Sequence, residues 1–107
     1  MKYAAFISRE FPTTTQLKLA YEQDIKLVHV GYADAYDKED LDDALIRFED
    51  VLFADYMEDG NNPDNWEPPI PELIIGVHPM IALYAAINNY PFGWFENEKL
   101  HISDKRI

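Results

Sequence analysis

The chain alternates between two hydrophobic periods. Short apolar runs rich in β-formers lie at residues 2–8 (KYAAFIS), 25–32 (IKLVHVGY) and 72–77 (ELIIGV). Between them, apolar residues recur in steps of three and four. Runs apolar throughout suit strands of a parallel sheet covered on both faces, and the stepped stretches suit the helices that cover them. Pro12-Thr13-Thr14-Thr15-Gln16 carries a helix start signal. Thr13 is the expected N-cap, with Gln16 closing a capping box, and Thr14 or Thr15 are alternatives. Leu17, Ala20 and Tyr21 follow at helical spacing.

From residue 39 to about residue 57, Leu41, Ala44, Leu45, Phe48, Leu52 and Tyr56 make the apolar stripe of a second helix. Asp42, Asp43, Glu49 and Asp50 are expected on its wet side, and Asp37 or Asp40 as its cap. Gly60-Asn61-Asn62-Pro63 stops this helix. Residues 58–71 hold four of the seven prolines and read as a loop that Trp66 pins. Pro79 suits the first position of a third helix with Met80, Leu83, Tyr84 and Ile87 as its stripe. Asn88-Asn89 suits a left-handed C-cap. Residues 92–102 read as one fourth strand and residues 103–107 as a tail.

Strand, helix, strand, helix, strand, helix, strand is the order of a three-layer α/β domain. The expectation is one domain over residues 1–107, a small Rossmann-like unit with a mostly parallel four-stranded sheet and an acidic middle helix and loop. With 107 residues, 48% of them hydrophobic, the chain has enough apolar material for a single core without staples. There is no cysteine, which excludes disulfides, thiolate metal sites and cysteine nucleophiles. No leader pattern and no apolar run of about 20 residues is present, so a cytoplasmic protein without a membrane span is expected.

Charge is segregated along the chain, and this separates two kinds of function. The net charge is −11. Residues 1–30 carry four basic and three acidic side chains, residues 31–72 two and fourteen, and residues 73–107 three and three. Such a balance argues against a partner that is duplex nucleic acid or an anionic membrane, whose phosphates need Lys and Arg. The two flanks are nearly neutral and remain able to meet an anion locally.

In a flavodoxin-like order the first and third strands are neighbours, and ligands bind in the crevice beyond their carboxyl ends. Ser8-Arg9 and the Thr-rich helix start close the first strand, and Gly76-Val77-His78-Pro79 closes the third. Unpaired N–H groups at two helix starts, a guanidinium and an imidazole make an anion cradle. Here Gly76 lets backbone approach a ligand, and Ser8, Thr13 and Thr14 contact it. Arg9 holds phosphate, and His78 donates a hydrogen bond or moves a proton. Each residue also has a purely structural reading: Arg9 pairs with the acidic middle, the threonines cap one helix and His78 caps the next.

The Ser8-Arg9 ending, the Gly76-x-x-Pro79 turn and the Ala85-Ala86 pair in the following helix together resemble the small CRISPR-associated Rossmann-like ring nucleases. The resemblance covers about a third of the chain. Glu10 stands where a histidine is expected after the arginine, and His78 where an aliphatic residue is usual. It implies metal-independent binding and cleavage of a cyclic oligoadenylate with no cofactor, and the residues themselves offer Arg9 and His78 as the catalytic pair.

Other signals fall away. No Gly-x-Gly-x-x-Gly or P-loop spacing is present. The run beginning at Asp55 lacks the Asp and Glu positions of a calcium loop. His29, His78 and His101 lack zinc-ligand spacing, and His29 reads as a hydrogen-bonded core residue. The competing function is a non-enzymatic one, in which Asp34, Asp37, Glu39, Asp40, Asp42, Asp43, Glu49 and Asp50 form an acidic face for a basic protein or imitate nucleic-acid phosphates. Tyr90, Trp94 and Phe95 near a terminal edge strand suggest a homodimer.

Overall fold

The computed structural model describes residues 2–31, 38–76 and 78–103. Strands β1 (Lys2–Ser8), β2 (Ile25–Gly31), β3 (Leu73–Ile75), β4 (Phe92–Glu96) and β5 (Lys99–Ser103) form one sheet in the order β2-β1-β3-β4-β5. Helices α1 (Thr14–Glu22), α2 (Lys38–Glu58) and α3 (Pro79–Ile87) alternate with the first four strands. The architecture is α/β, consistent with a Rossmann-like fold. β1 is parallel to both β2 and β3, and β4 is parallel to β3.

The sheet has five strands, where the sequence suggested four. Residues 92–102 do not run straight: β4 turns at Asn97-Glu98 and β5 returns antiparallel to it, with Glu96 opposite Lys99 and Phe92 opposite Ser103. Both turn residues have positive φ, 53° and 59°, the geometry of a two-residue hairpin whose twist matches the strands. The stretch shows no Gly at the turn to announce it. Ser103, expected in the tail, ends β5.

Each face of the sheet has its own core. Ala5 and Ile7 of β1, Val28 and Val30 of β2 and Ile74 of β3 meet Leu41, Ala44, Phe48 and Leu52 of α2 and Ile81, Tyr84 and Ala85 of α3. On the other face Ala4, Phe6, Ile25, Leu27, Leu73, Ile75 and Leu100 meet Ala20 of α1. Strand alternation sends odd and even residues of β1 to opposite layers, which is why its whole centre is apolar. Phe48, Ile7, Leu41 and Ile74 are fully buried, each worth about 1.5–3 kcal/mol in removal from water.

The local signals at the helix ends act as the residues demand. Thr13 Oγ1 accepts from Gln16 N at 3.1 Å, and Gln16 Oε1 accepts from Thr13 N at 2.9 Å, a complete capping box. At the end of α3, Asn89 adopts φ 62° while Asn89 N donates to Ala86 O and Tyr90 N to Ala85 O, the paired bonds of a Schellman motif. Asp40 lies inside the first turn of α2, not at its cap. Asp37 lies outside the described residues, as does Asp34. Trp66 does pin the proline-rich loop, its ring 5.0 Å from Tyr56 and 5.2 Å from Phe53.

One stripe is rotated from expectation. α3 buries Ile81, Tyr84 and Ala85 and leaves Met80, Leu83 and Ile87 exposed at 43%, 46% and 58%. The helix carries no charge on any side, so its apolar pattern did not say which side faces the sheet.

Candidate functional site

The hydrogen-bonded register sets Phe6 of β1 opposite Ile75 of β3 and Ser8 opposite Gly31 of β2. Ser8, Arg9, Gly31, Gly76 and His78 therefore follow the carboxyl ends of three adjacent parallel strands. Strand adjacency, on which the anion-cradle reading depends, is present.

The side chains divide between two places. Gly76, His78 and Pro79 line a cavity of about 280 Å³ with Ala82 of α3 and Phe92, Trp94 and Phe95 of β4. Ser8, Arg9 and Thr13 are not among its walls, and Thr14 lines a separate hollow of about 520 Å³ along α1 and β2 with Leu17 and Tyr21. Ser8 Oγ accepts from Glu10 N at 3.3 Å, and Ser8 O accepts from His29 Nε2 at 2.8 Å. Arg9 is exposed on the turn that follows. The β1 end is thus an exposed polar turn beside an aromatic-floored cavity.

His78 is the N-cap of α3, its Nδ1 accepting from Met80 N at 3.1 Å. An accepting Nδ1 carries no proton, so the neutral ring holds its hydrogen on Nε2. In this tautomer the ring donates through Nε2. Gly76 has a packing reason to be glycine: a Cβ there would lie 2.9 Å from Ile81 Cδ1 and 3.0 Å from Ile81 Cγ2. The bare backbone lets α3 close against β3.

Sequence reasoning missed the cavity floor. Trp94 lies nearly parallel to Phe92 (6.1 Å, 17°) and to His101 of β5 (5.3 Å, 16°), and Trp94 Nε1 donates to Glu96 Oε2 at 3.3 Å. The Trp94–His101 pairing exists only because β5 folds back, so the unrecognised Asn97-Glu98 turn concealed it. For the same reason β4 is not an edge strand. Phe95 turns to the opposite layer, where it packs on Phe6 at 6.3 Å.

His29 is half-buried at the same end of the sheet, satisfied by Ser8 O and 4.4 Å from the exposed ring of Phe11.

The acidic set is also divided. Asp43, Glu49 and Asp50 are exposed on α2, but Asp42 is not part of a free solvent face. It accepts from the Tyr84 hydroxyl of α3 and from Lys38 Nζ at 2.9 Å. These bonds, Tyr84's first, hold its carboxyl below the ordinary range, while burial first and then Asp42 push the Tyr84 hydroxyl far up. Ile46, Val51, Phe53 and Met57 interrupt the acidic surface with exposed apolar groups. Among the described residues, no three His, Asp or Glu side chains form a group able to hold a metal ion, and no helix is long and apolar enough to cross a membrane.

A scan against protein-family models, a search of curated proteins and a search of solved structures each return no match. The likeness to ring nucleases therefore rests on the short motifs alone.

Proposed function

We propose that this chain is a small Rossmann-like cytoplasmic protein that binds an anionic nucleotide or cyclic oligonucleotide beyond the carboxyl ends of β1, β3 and β4. The carrying observation is the cavity of about 280 Å³ lined by Gly76 and His78 together with Phe92 and Trp94. Its size is close to the lower end of small-ligand sites. A base stacks on the Trp94 ring, and stacking of this kind is worth about 1–3 kcal/mol per base. Phosphate oxygens meet Ser8 and Arg9 on the neighbouring turn and Thr13 at the start of α1, whereas Thr14 faces the separate hollow along α1 and takes no part.

The His78 cap weights this reading toward binding. With Nδ1 engaged in the cap, the ring offers its Nε2–H to an oxyanion as a hydrogen bond. Cleavage then requires the ligand's own 2′-hydroxyl to align with the phosphorus, with Arg9 stabilising the developing charge. Titration calorimetry with AMP and with cyclic oligoadenylate, at two salt concentrations, is the test. Trp94→Ala and Arg9→Ala should each weaken binding about tenfold. Unchanged binding and turnover in Arg9→Ala would end the proposal.

The exposure of Asp43, Glu49 and Asp50 favours the second reading, a non-enzymatic partner of a basic protein. Charge reversal at these three residues should abolish capture of that partner, and retention would count against the reading. Self-association as a homodimer belongs to either reading. The uncharged α3 surface of Met80, Leu83 and Ile87 is where two molecules of net charge −11 repel least. Light scattering should report a dimer that Leu83→Asp reduces to a monomer.

A further inference from the structure

At the opposite end of the sheet, where β1 and β2 begin and α2 ends, lies a second hollow of about 270 Å³. It is lined by the aromatic residues Tyr3, Tyr56 and Trp66 and by Asp55, Asp59 and Glu67, with Lys26 as the one basic residue among them. We propose that this hollow receives an organic ammonium group, of the alkylated or quaternary kind carried by choline or by methylated lysine.

Three properties converge on that chemistry. The faces of Tyr and Trp rings attract a weakly hydrated cation, and several rings around one space form an aromatic cage. A lysine ammonium of this chain already samples the attraction, since Lys26 Nζ lies 6.0 Å from the centroid of the Tyr3 ring at the wall of the hollow. The surrounding potential is negative beyond what the fold needs: Asp55 and Glu58 lie in the last turn of α2, which has no basic residue, and Asp59 follows. Carboxylates at the negative end of a helix dipole are unfavourable there, and a bound cation relieves them.

The walls are held before any ligand arrives. Tyr56 Oη donates to Asn62 O at 2.8 Å, and Asn61 Nδ2 donates to Tyr56 O at 3.0 Å, tying the ring to the loop. The Trp66 ring packs on Phe53 and Tyr56, and its backbone N–H donates to Pro63 O at 3.2 Å. A preformed site loses little conformational freedom on binding. The broad aromatic walls suit a bulky methylated head group.

The experiment is a titration of the whole ¹⁵N-labelled chain followed by NMR, with the indole signals of Trp66 and Trp94 read separately. Choline chloride tests a free small cation, and a trimethyllysine peptide tests a protein side chain. The neutral isostere 3,3-dimethylbutanol and sodium chloride are the controls. The Trp66 indole and the amides of residues 55–67 should shift saturably with choline, the peptide or both, while the Trp94 indole stays in place. Asp55→Asn with Asp59→Asn should weaken binding at least about tenfold, and Lys26→Met should strengthen it. Both acidic side chains are exposed, so the double substitution leaves the fold intact and any loss is a loss of recognition. A Trp66 signal that does not move would overturn the proposal. So would equal shifts with the neutral isostere, or unchanged affinity in the double variant.

Discussion

A carboxylate on the polar side of a helix has no fixed role until its neighbour is known. Asp42 belongs by spacing to the wet side of α2, yet Tyr84 reaches it from α3 and makes it an interhelical acceptor. The helical period was legible in the sequence, and the approach of a second helix was not. The carboxyl is held below its ordinary value of 3.8. It therefore adds stability above its unfolded pKa, and that contribution disappears as pH falls through the lower folded one. The stability difference between the parent and Asp42→Ala, measured by urea unfolding, should be full at neutral pH and vanish in strong acid. A difference independent of pH would refute the linkage. Gly76 was legible as a special position but for a different reason. Gly76→Ala should cost about 1–3 kcal/mol through overpacking against the β-branched Ile81, measurable by thermal unfolding without any ligand present. His78 and Thr13 were read as either site residues or caps, and both do cap their helices.

Helix starts announce themselves because a few side chains must satisfy specific N–H groups, so Thr13-x-x-Gln16 could be read directly. Thr13→Ala should cost about 1 kcal/mol, and circular dichroism on the same melt would register it. The β4–β5 hairpin lacked such a signal. Asn97 tolerates the left-handed region through its short polar side chain, but Glu98 carries a Cβ penalty of about 1 kcal/mol there. Glu98→Gly should accordingly stabilise the protein by a comparable amount, and a variant less stable than the parent would argue against the turn. α3 was legible as a helix but not in orientation, because a helix apolar on every side carries no stripe.

The adjacency of β1 and β3 was legible because the elements alternate and crossovers are right-handed, but the fifth strand beside β4 was not. The aromatic floor of the cavity was not, since it joins two strands across a reversal that composition conceals. Phe48 fills the centre of one layer with no exposed surface, so Phe48→Ala should cost about 3–5 kcal/mol and leave a small domain barely folded. β1 passes through the middle of this architecture with Tyr3 at one hollow and Ser8 at the opposite end of the strand. Along a strand that rises about 3.3 Å per residue, those positions are separated by roughly 17 Å. Its four central residues, Ala4 to Ile7, are buried, so the strand runs through packed core from one pole to the other. Any change that a ligand at one pole makes to affinity at the other must, by reciprocity, be returned by the same factor.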